Sequence, residues 1–358
     1  MENLLLTVDW YKKKTKQIQQ QMAIENLDAL ILLDPFNIYY AIGFFHQSTE
    51  RPLGVVIPQN GEPKFYVPKL EKEMAEETWV TEVNIYFDYP GITHPIVWML
   101  KENKQYKRIG FDKLDYRQWR IATSENPNVI VTDLVYTMRL VKEAEEIRLI
   151  EKAGIYADLL VEKTREAIVN GLSELDAYNY ADSFTVQKMK EDLGELVMAN
   201  QGLTNGAVLY GPHSAYPHGL MTSRKPQLGD IIQAGFGALV STYEAESEHI
   251  FIRGEPSKEV ISYFNATFNA WKAGMEAAAP GKTCAEVNEA ALNEIREAGY
   301  EQYLRHRMGH GKGLEEHEAP WVAEGDNTIL LPGMIISDEP GLYIPGVGGF
   351  RYSDTLVI

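Results

Sequence analysis

Residues 308–318 read MGHGKGLEEHE, and residues 336–354 read ISDEPGLYIPGVGGFRYSD. The first places histidines and carboxylates among glycines, and the second carboxylates among glycines and prolines, which is how loops and short strands bring polar side chains to one cleft. Two segments upstream have the same character: GPHSAYPHG at 211–219 and STYEAESEH at 241–249. Taken singly, each has an ordinary explanation, because His and Glu are often surface residues and Gly-Pro marks turns. Within the second of these, Glu244, Glu246 and Glu248 alternate, so on a strand they share one face. That face is either a solvated outer surface or the wall of a carboxylate-lined cleft. The stretch Gly346-Val347-Gly348-Gly349 does not follow a strand and open a helix, so it reads as a turn and not as a dinucleotide loop.

Working outward from these segments, strand candidates lie at 230–234, 238–244, 249–252, 334–338 and 352–358. Long helical stretches lie at 137–154, 155–170, 173–190, 257–279 and 283–298. Strands and helices are grouped, which predicts an α+β domain with a curved, mainly antiparallel sheet backed by helices. Upstream, an amphipathic helix over 10–25 precedes the apolar run Ala29-Leu30-Ile31-Leu32-Leu33, stopped by Asp34-Pro35. Further strands at 54–57, 64–67, 83–86, 108–111 and 129–132 alternate with helices at 70–77, 96–102 and 116–124, predicting a small α/β domain. The expected division is 1–136 and 137–358, consistent with a chain of 358 residues, too long for one core.

Lys plus Arg number 34 and Asp plus Glu 51, a formal charge of −17. Such a surface repels phosphate backbones and argues against nucleic acid as a partner. No window approaches the ~20 apolar residues of a membrane helix, and the first residues lack a long apolar region with a cleavage site, so the expected location is cytoplasmic. The one cysteine, Cys284, excludes an internal disulfide. Thr283 as N-cap and Glu286 three residues on predict a capping box, with Cys284 a helix-start residue and not a nucleophile.

Together and in this order, the four polar segments resemble the creatinase/prolidase/aminopeptidase P family of "pita-bread" hydrolases. GHGKGLEEHE follows its Gly-His-Gly-x-Gly-Leu-x-x-His-Glu. Residues 338–346 follow its Glu-Pro-Gly-x-Tyr run, and 348–351 resemble its final strand. His218 sits in its Pro-His element, and Gly229-Asp230 opens a strand as the family's Gly-Asp does. The resemblance covers 137–358 strongly and the first domain through 37–43 and 49–52. It implies a C-terminal pita-bread domain preceded by a smaller α/β domain.

The resemblance also implies two divalent metals held by two Asp, one His and two Glu. The matching positions here are Gly235, Glu246, His310, Glu339 and Ser353. Glycine cannot ligate, and serine is a poor ligand for hard ions. The expectation is therefore the family's metal-free, creatinase-like branch: no cofactor, and hydrolysis of a C–N bond in a small cationic or zwitterionic guanidino or amide compound. In that reading His218 is the acid/base, while Glu248 and Glu339 hold and polarise the nitrogen-bearing group. Glu246, His310 and His317 line the cleft, and Arg51 reaches into the partner's site in a homodimer. Carboxylates crowded without a metal raise one another's pKa, and a guanidinium with parallel N–H donors relieves that repulsion. An imidazole at His218 is the residue type suited to a proton shuttle. Three alternatives stand beside this reading. One is a Xaa-Pro dipeptidase or aminopeptidase with a degenerate site holding one divalent metal at Glu246, His310 and Glu339. Another is a non-catalytic peptide-binding protein, and a third is a lyase using the same base.

Overall fold

The computed structural model describes residue 4, residues 6–194 and residues 202–358. Leu6–Arg139 forms one compact unit, and Leu140–Ile358 makes up the body of a second.

In the first unit, six strands form one mixed sheet: β1 (Ala29–Leu32), β2 (Gly54–Pro58), β3 (Lys64–Pro68), β4 (Glu82–Tyr86), β5 (Ile109–Phe111) and β6 (Ile130–Val131), in the order β4-β3-β2-β1-β5-β6. The apolar run at 29–32 becomes the fully buried β1, antiparallel to β2 and parallel to β5. It ends where expected. Asp34 caps the helix Pro35–Ile42 by accepting from the Phe36 amide at 3.0 Å, and Gly43, at φ 81°, closes that helix. Ile31, Val56, Tyr66, Met99 and Phe111 make the core on one face.

In the second unit, the strands are β7 (Thr204–Tyr210), β8 (Ile231–Val240), β9 (Tyr243–Ile252), β10 (Gly309–Gly311), β11 (Glu318–Val322), β12 (Ile335–Asp338), β13 (Gly341–Ile344), β14 (Gly348–Arg351) and β15 (Ser353–Val357). Seven of them form a sheet in the order β11-β10-β12-β15-β9-β8-β7, antiparallel at every pairing, and β13 and β14 form a separate hairpin. Helices Ala144–Val169, Glu174–Leu193, Lys258–Ala277 and Cys284–Glu297 complete the α+β pita-bread architecture. The capping box at Thr283 and Glu286 forms as expected, worth about 1 kcal/mol, and Cys284 is buried behind it.

Two expectations need adjustment. The charged segment 137–154 is not one helix. A short helix ends at Met138, Val141 bridges to Met334, and a new helix starts at Ala144 under a capping box of Glu143 and Glu146, running through Gly154 to Val169. The three strands expected between 230 and 252 are two. Ser241 and Thr242, at φ 48° and 67°, make a two-residue turn, and β8 and β9 pair over ten residues each. A two-residue hairpin turn favours positive φ, for which Asn-Gly is the usual signal and Ser-Thr is not. Among the described residues no helix is long and apolar enough to cross a membrane.

Candidate active site

The β8–β9 hairpin sets the register of the site. Glu244, Glu246 and Glu248 project to one face of β9, opposite Leu239, Gly237 and Gly235 of β8. The glycines make room for the carboxylates. A Cβ on Gly235 would stand 2.6 Å from Cδ and Oε2 of Glu248, and one on Gly237 would collide with Asn205 and Glu244. Glu244 and Glu248 are buried and Glu246 is half-buried, so this face is an interior wall and not a solvated surface. Glu339, directly after β12, adds a fourth carboxylate to the same cleft, which has a volume of about 810 Å³.

Two cations, one buried and one half-buried, answer these carboxylates. Lys312, fully buried, puts Nζ 2.8 Å from Glu246 Oε2 and 3.0 Å from Glu244 Oε1. Arg351, at the end of β14, donates from Nε to Glu248 Oε2 at 2.6 Å and approaches Glu339 Oε2 at 3.9 Å. Sequence reasoning missed both, passing Lys312 over as a variable position of the motif. For Lys312 the signal was present: a lysine between Gly311 and Gly313, directly after a buried strand, needs a carboxylate partner. The charges then divide in a definite way. Burial raises the Glu248 and Glu244 carboxyls, and Arg351 and Lys312 respectively oppose it without cancelling it. At Glu246 burial is outweighed by Lys312 and His310, so that carboxyl is held low. At Glu339 burial and the Glu246 charge both push upward, and Arg351 is too distant to compensate.

His310 lies on β10, its backbone N–H donating to Ser337 Oγ at 3.0 Å. Its ring is fully buried, with Nδ1 3.0 Å from the Gly311 carbonyl and Nε2 without a hydrogen-bond partner, 3.4 Å from Glu339 Oε1. Burial drives this imidazole down to about 4 against the opposing pull of Glu246. The neutral ring donates from Nδ1 to the carbonyl, which leaves the Nε2 lone pair aimed at the carboxylates, the tautomer a metal ligand requires. Ligand atoms of Glu246, His310 and Glu339 all lie within 4.8 Å of one another. One neutral imidazole and two carboxylates suit one divalent ion. A second ion does not fit. Gly235 offers no side chain and its space belongs to Glu248, while the Ser353 hydroxyl is spent donating to Glu246 Oε1 at 2.6 Å.

The remaining expected residues fall as follows. His218 is exposed on the loop after β7 and lines the cleft, as does His317, whose ring centroid is 3.8 Å from that of His310. Arg51 belongs to the other unit, where it pairs with Asp88 at 2.6 Å and with Glu50. His306, which the sequence did not single out, also lines the cleft, with Nε2 2.9 Å from the Tyr343 hydroxyl. His213 is structural, its Nδ1 3.1 Å from Glu174 Oε1.

Comparison with known proteins bears on this geometry. Residues 148–358 match the metallopeptidase family M24, and residues 14–141 match the creatinase/prolidase N-terminal domain. A Xaa-Pro dipeptidase of Pyrococcus horikoshii is 31% identical over 98% of this chain and 95% of its own. The crystal structure of prolidase from that organism superposes with a TM-score of 0.83 at 29% identity, covering 97% of this chain and 95% of the other. A Xaa-Pro dipeptidase from Bacillus anthracis gives 0.82 at 26% identity, with the same coverage.

These findings correct two expectations. The creatinase-like, metal-independent hydrolase of guanidino compounds does not stand, because the relatives 31% identical over nearly the whole chain are Xaa-Pro dipeptidases. The absence of any cofactor does not stand either. Glycine and serine at two ligand positions remove one ion's worth of ligands, yet Glu246, His310 and Glu339 still converge as a set that fits one divalent ion. The two domain matches together cover nearly the whole chain, and the protein belongs to the metallopeptidase family M24, the creatinase/prolidase/aminopeptidase P family, which sets its chemistry among hydrolases of C–N bonds.

Proposed function

We propose that the protein is a Xaa-Pro dipeptidase that works with a single divalent ion held by Glu246, His310 and Glu339. The observation that carries this reading is the convergence of three ligand atoms within 4.8 Å, with the buried Nε2 of His310 unpartnered among them. A divalent ion there would supply Lewis acidity toward a peptide carbonyl. The cleft volume of about 810 Å³ is ample for a dipeptide.

The chain's own residues then take distinct parts. The Gly311 carbonyl fixes the His310 tautomer. Arg351 holds Glu248 and stands near Glu339, keeping both carboxylates oriented into the cleft. His218, on a loop facing that space, is placed to pass a proton to the departing imide nitrogen, which a prolyl leaving group must acquire. Arg305, His306 and Arg307 line the same cleft and favour a substrate with a free carboxylate, as a dipeptide has.

The test is a substrate panel with manganese, cobalt and zinc. Dipeptides with proline second should be cleaved and the matching Xaa-Ala dipeptides should not, with turnover lost in chelator and restored by the ion. Cleavage of no Xaa-Pro bond under any metal condition would refute the reading.

A further inference from the structure

We propose that the Lys312 ammonium is a built-in cation at one end of the carboxylate cluster, and that it limits the centre to one metal ion. This rests on the single-ion reading above. Four carboxylates form the cluster on the inner wall of the cleft, Glu244, Glu246, Glu248 and Glu339, while Glu316, which also lines the cleft, is exposed. Two side-chain cations are paired with them, Lys312 and Arg351. With all four acids ionised the cluster carries −4 + 2 = −2, which one divalent ion neutralises and two would overshoot.

Geometry gives the ammonium a fixed place. Lys312 leaves β10 between two glycines, and a Cβ on Gly313 would press within 2.9 Å of Lys142 Cε, so that side of the strand is closely packed. The lysine is fully buried and bonded to Glu244 and Glu246 together. If it withdrew, Glu244, itself buried, would be left uncompensated, a costly state. Lys312 thus bonds Glu246 Oε2 and Glu244 Oε1, leaving Glu246 Oε1, which also accepts from Ser353, with His310 Nε2 and Glu339 Oε1 to share an ion. The position between Glu244 and Glu246, where two carboxylates would otherwise accept a second ion, is filled by the chain.

The test is calorimetric titration of metal-stripped protein with manganese chloride, read as stoichiometry and dissociation constant. Wild type should take one equivalent. Lys312→Met, which leaves the cluster at −3, should bind its first equivalent about tenfold tighter or more and accept a second, weaker one. Lys312→Met with Glu244→Gln returns the cluster to −2. It should again take one equivalent, about tenfold tighter than wild type because Glu246 is no longer shared with an ammonium. This double variant also serves if the single one does not fold, with folding followed by circular dichroism. Two equivalents on wild type, or folded variants with wild-type stoichiometry and affinity, would overturn the proposal. Wild type binding no ion while Lys312→Met binds one would refute the single-ion function and uphold the role of Lys312. No binding by either would overturn both.

Discussion

Gly235→Ala probes the packing on which the site depends. The new Cβ would stand 2.6 Å from Cδ and Oε2 of Glu248, where ordinary contacts begin near 3.4 Å. The Glu248 carboxylate must therefore retreat by close to an ångström, but its Oε2 is held at 2.6 Å by Arg351 Nε and its surroundings are buried. Overpacking costs about 1–3 kcal/mol. Loosening a charge-assisted hydrogen bond adds some part of its ~1.5–3 kcal/mol. The expected loss is about 3 kcal/mol, measured as a lower urea midpoint at unchanged slope. Glu248→Asp in the same background withdraws the carboxylate by one methylene and should recover part of it, giving a coupling energy of about 1 kcal/mol or more in a double-mutant cycle. A loss under ~0.5 kcal/mol, or strict additivity of the two changes, would refute the view that Gly235 is glycine because Glu248 occupies its side-chain space.

Lys142 and Glu318 form a buried pair at 2.7 Å that anchors the end of the GHGKGLEEHE segment, so Lys142→Met should cost about 3–5 kcal/mol in chemical denaturation. His218→Ala should lower kcat by about 10²–10⁴ with circular dichroism and metal content unchanged, as expected for a lost proton donor on a loop. Burial holds the His46 imidazole down at about 4 against a raising effect of Asp34, so it is neutral in the folded state, while in the unfolded chain it titrates near 6.5. The unfolded state therefore binds more protons between those values, and this stability is present above pH 6.5 and lost as pH falls toward 4. His46→Gln should fall less in stability than wild type across that window, the difference reaching about 2–3 kcal/mol in denaturation measured at pH 7 and pH 4.5.

Much of the architecture was legible in short-range chemistry. The run at 29–32 bounded by Asp34-Pro35, and the Thr283–Glu286 capping box, carry their own start and stop signals, and both elements form where those signals lie. The long β8–β9 hairpin was not legible, because Gly235 and Gly237 interrupt its apolar pattern for the sake of the facing glutamates. At the site, the ligand positions could be counted from motif spacing, and that counting misled. Gly235 and Ser353 put a metal-free centre first and a single ion at Glu246, His310 and Glu339 second, although these three come from separate strand regions that the sheet order brings within reach. Lys312 and Arg351 were missed for the same reason, since such a cation is recognised by its partners, and the carboxylates they bond, Glu246 and Glu248, lie 66 and 103 residues away.

The most direct test of the central claim is to strip the protein of metal, add manganese in sub-stoichiometric steps, and follow hydrolysis of a Xaa-Pro dipeptide at each step. The structure predicts no turnover in the stripped protein, a linear rise with added ion, and a plateau at one equivalent per chain. Full turnover in the stripped protein, or a plateau reached only at two equivalents, would contradict a single-ion centre at Glu246, His310 and Glu339.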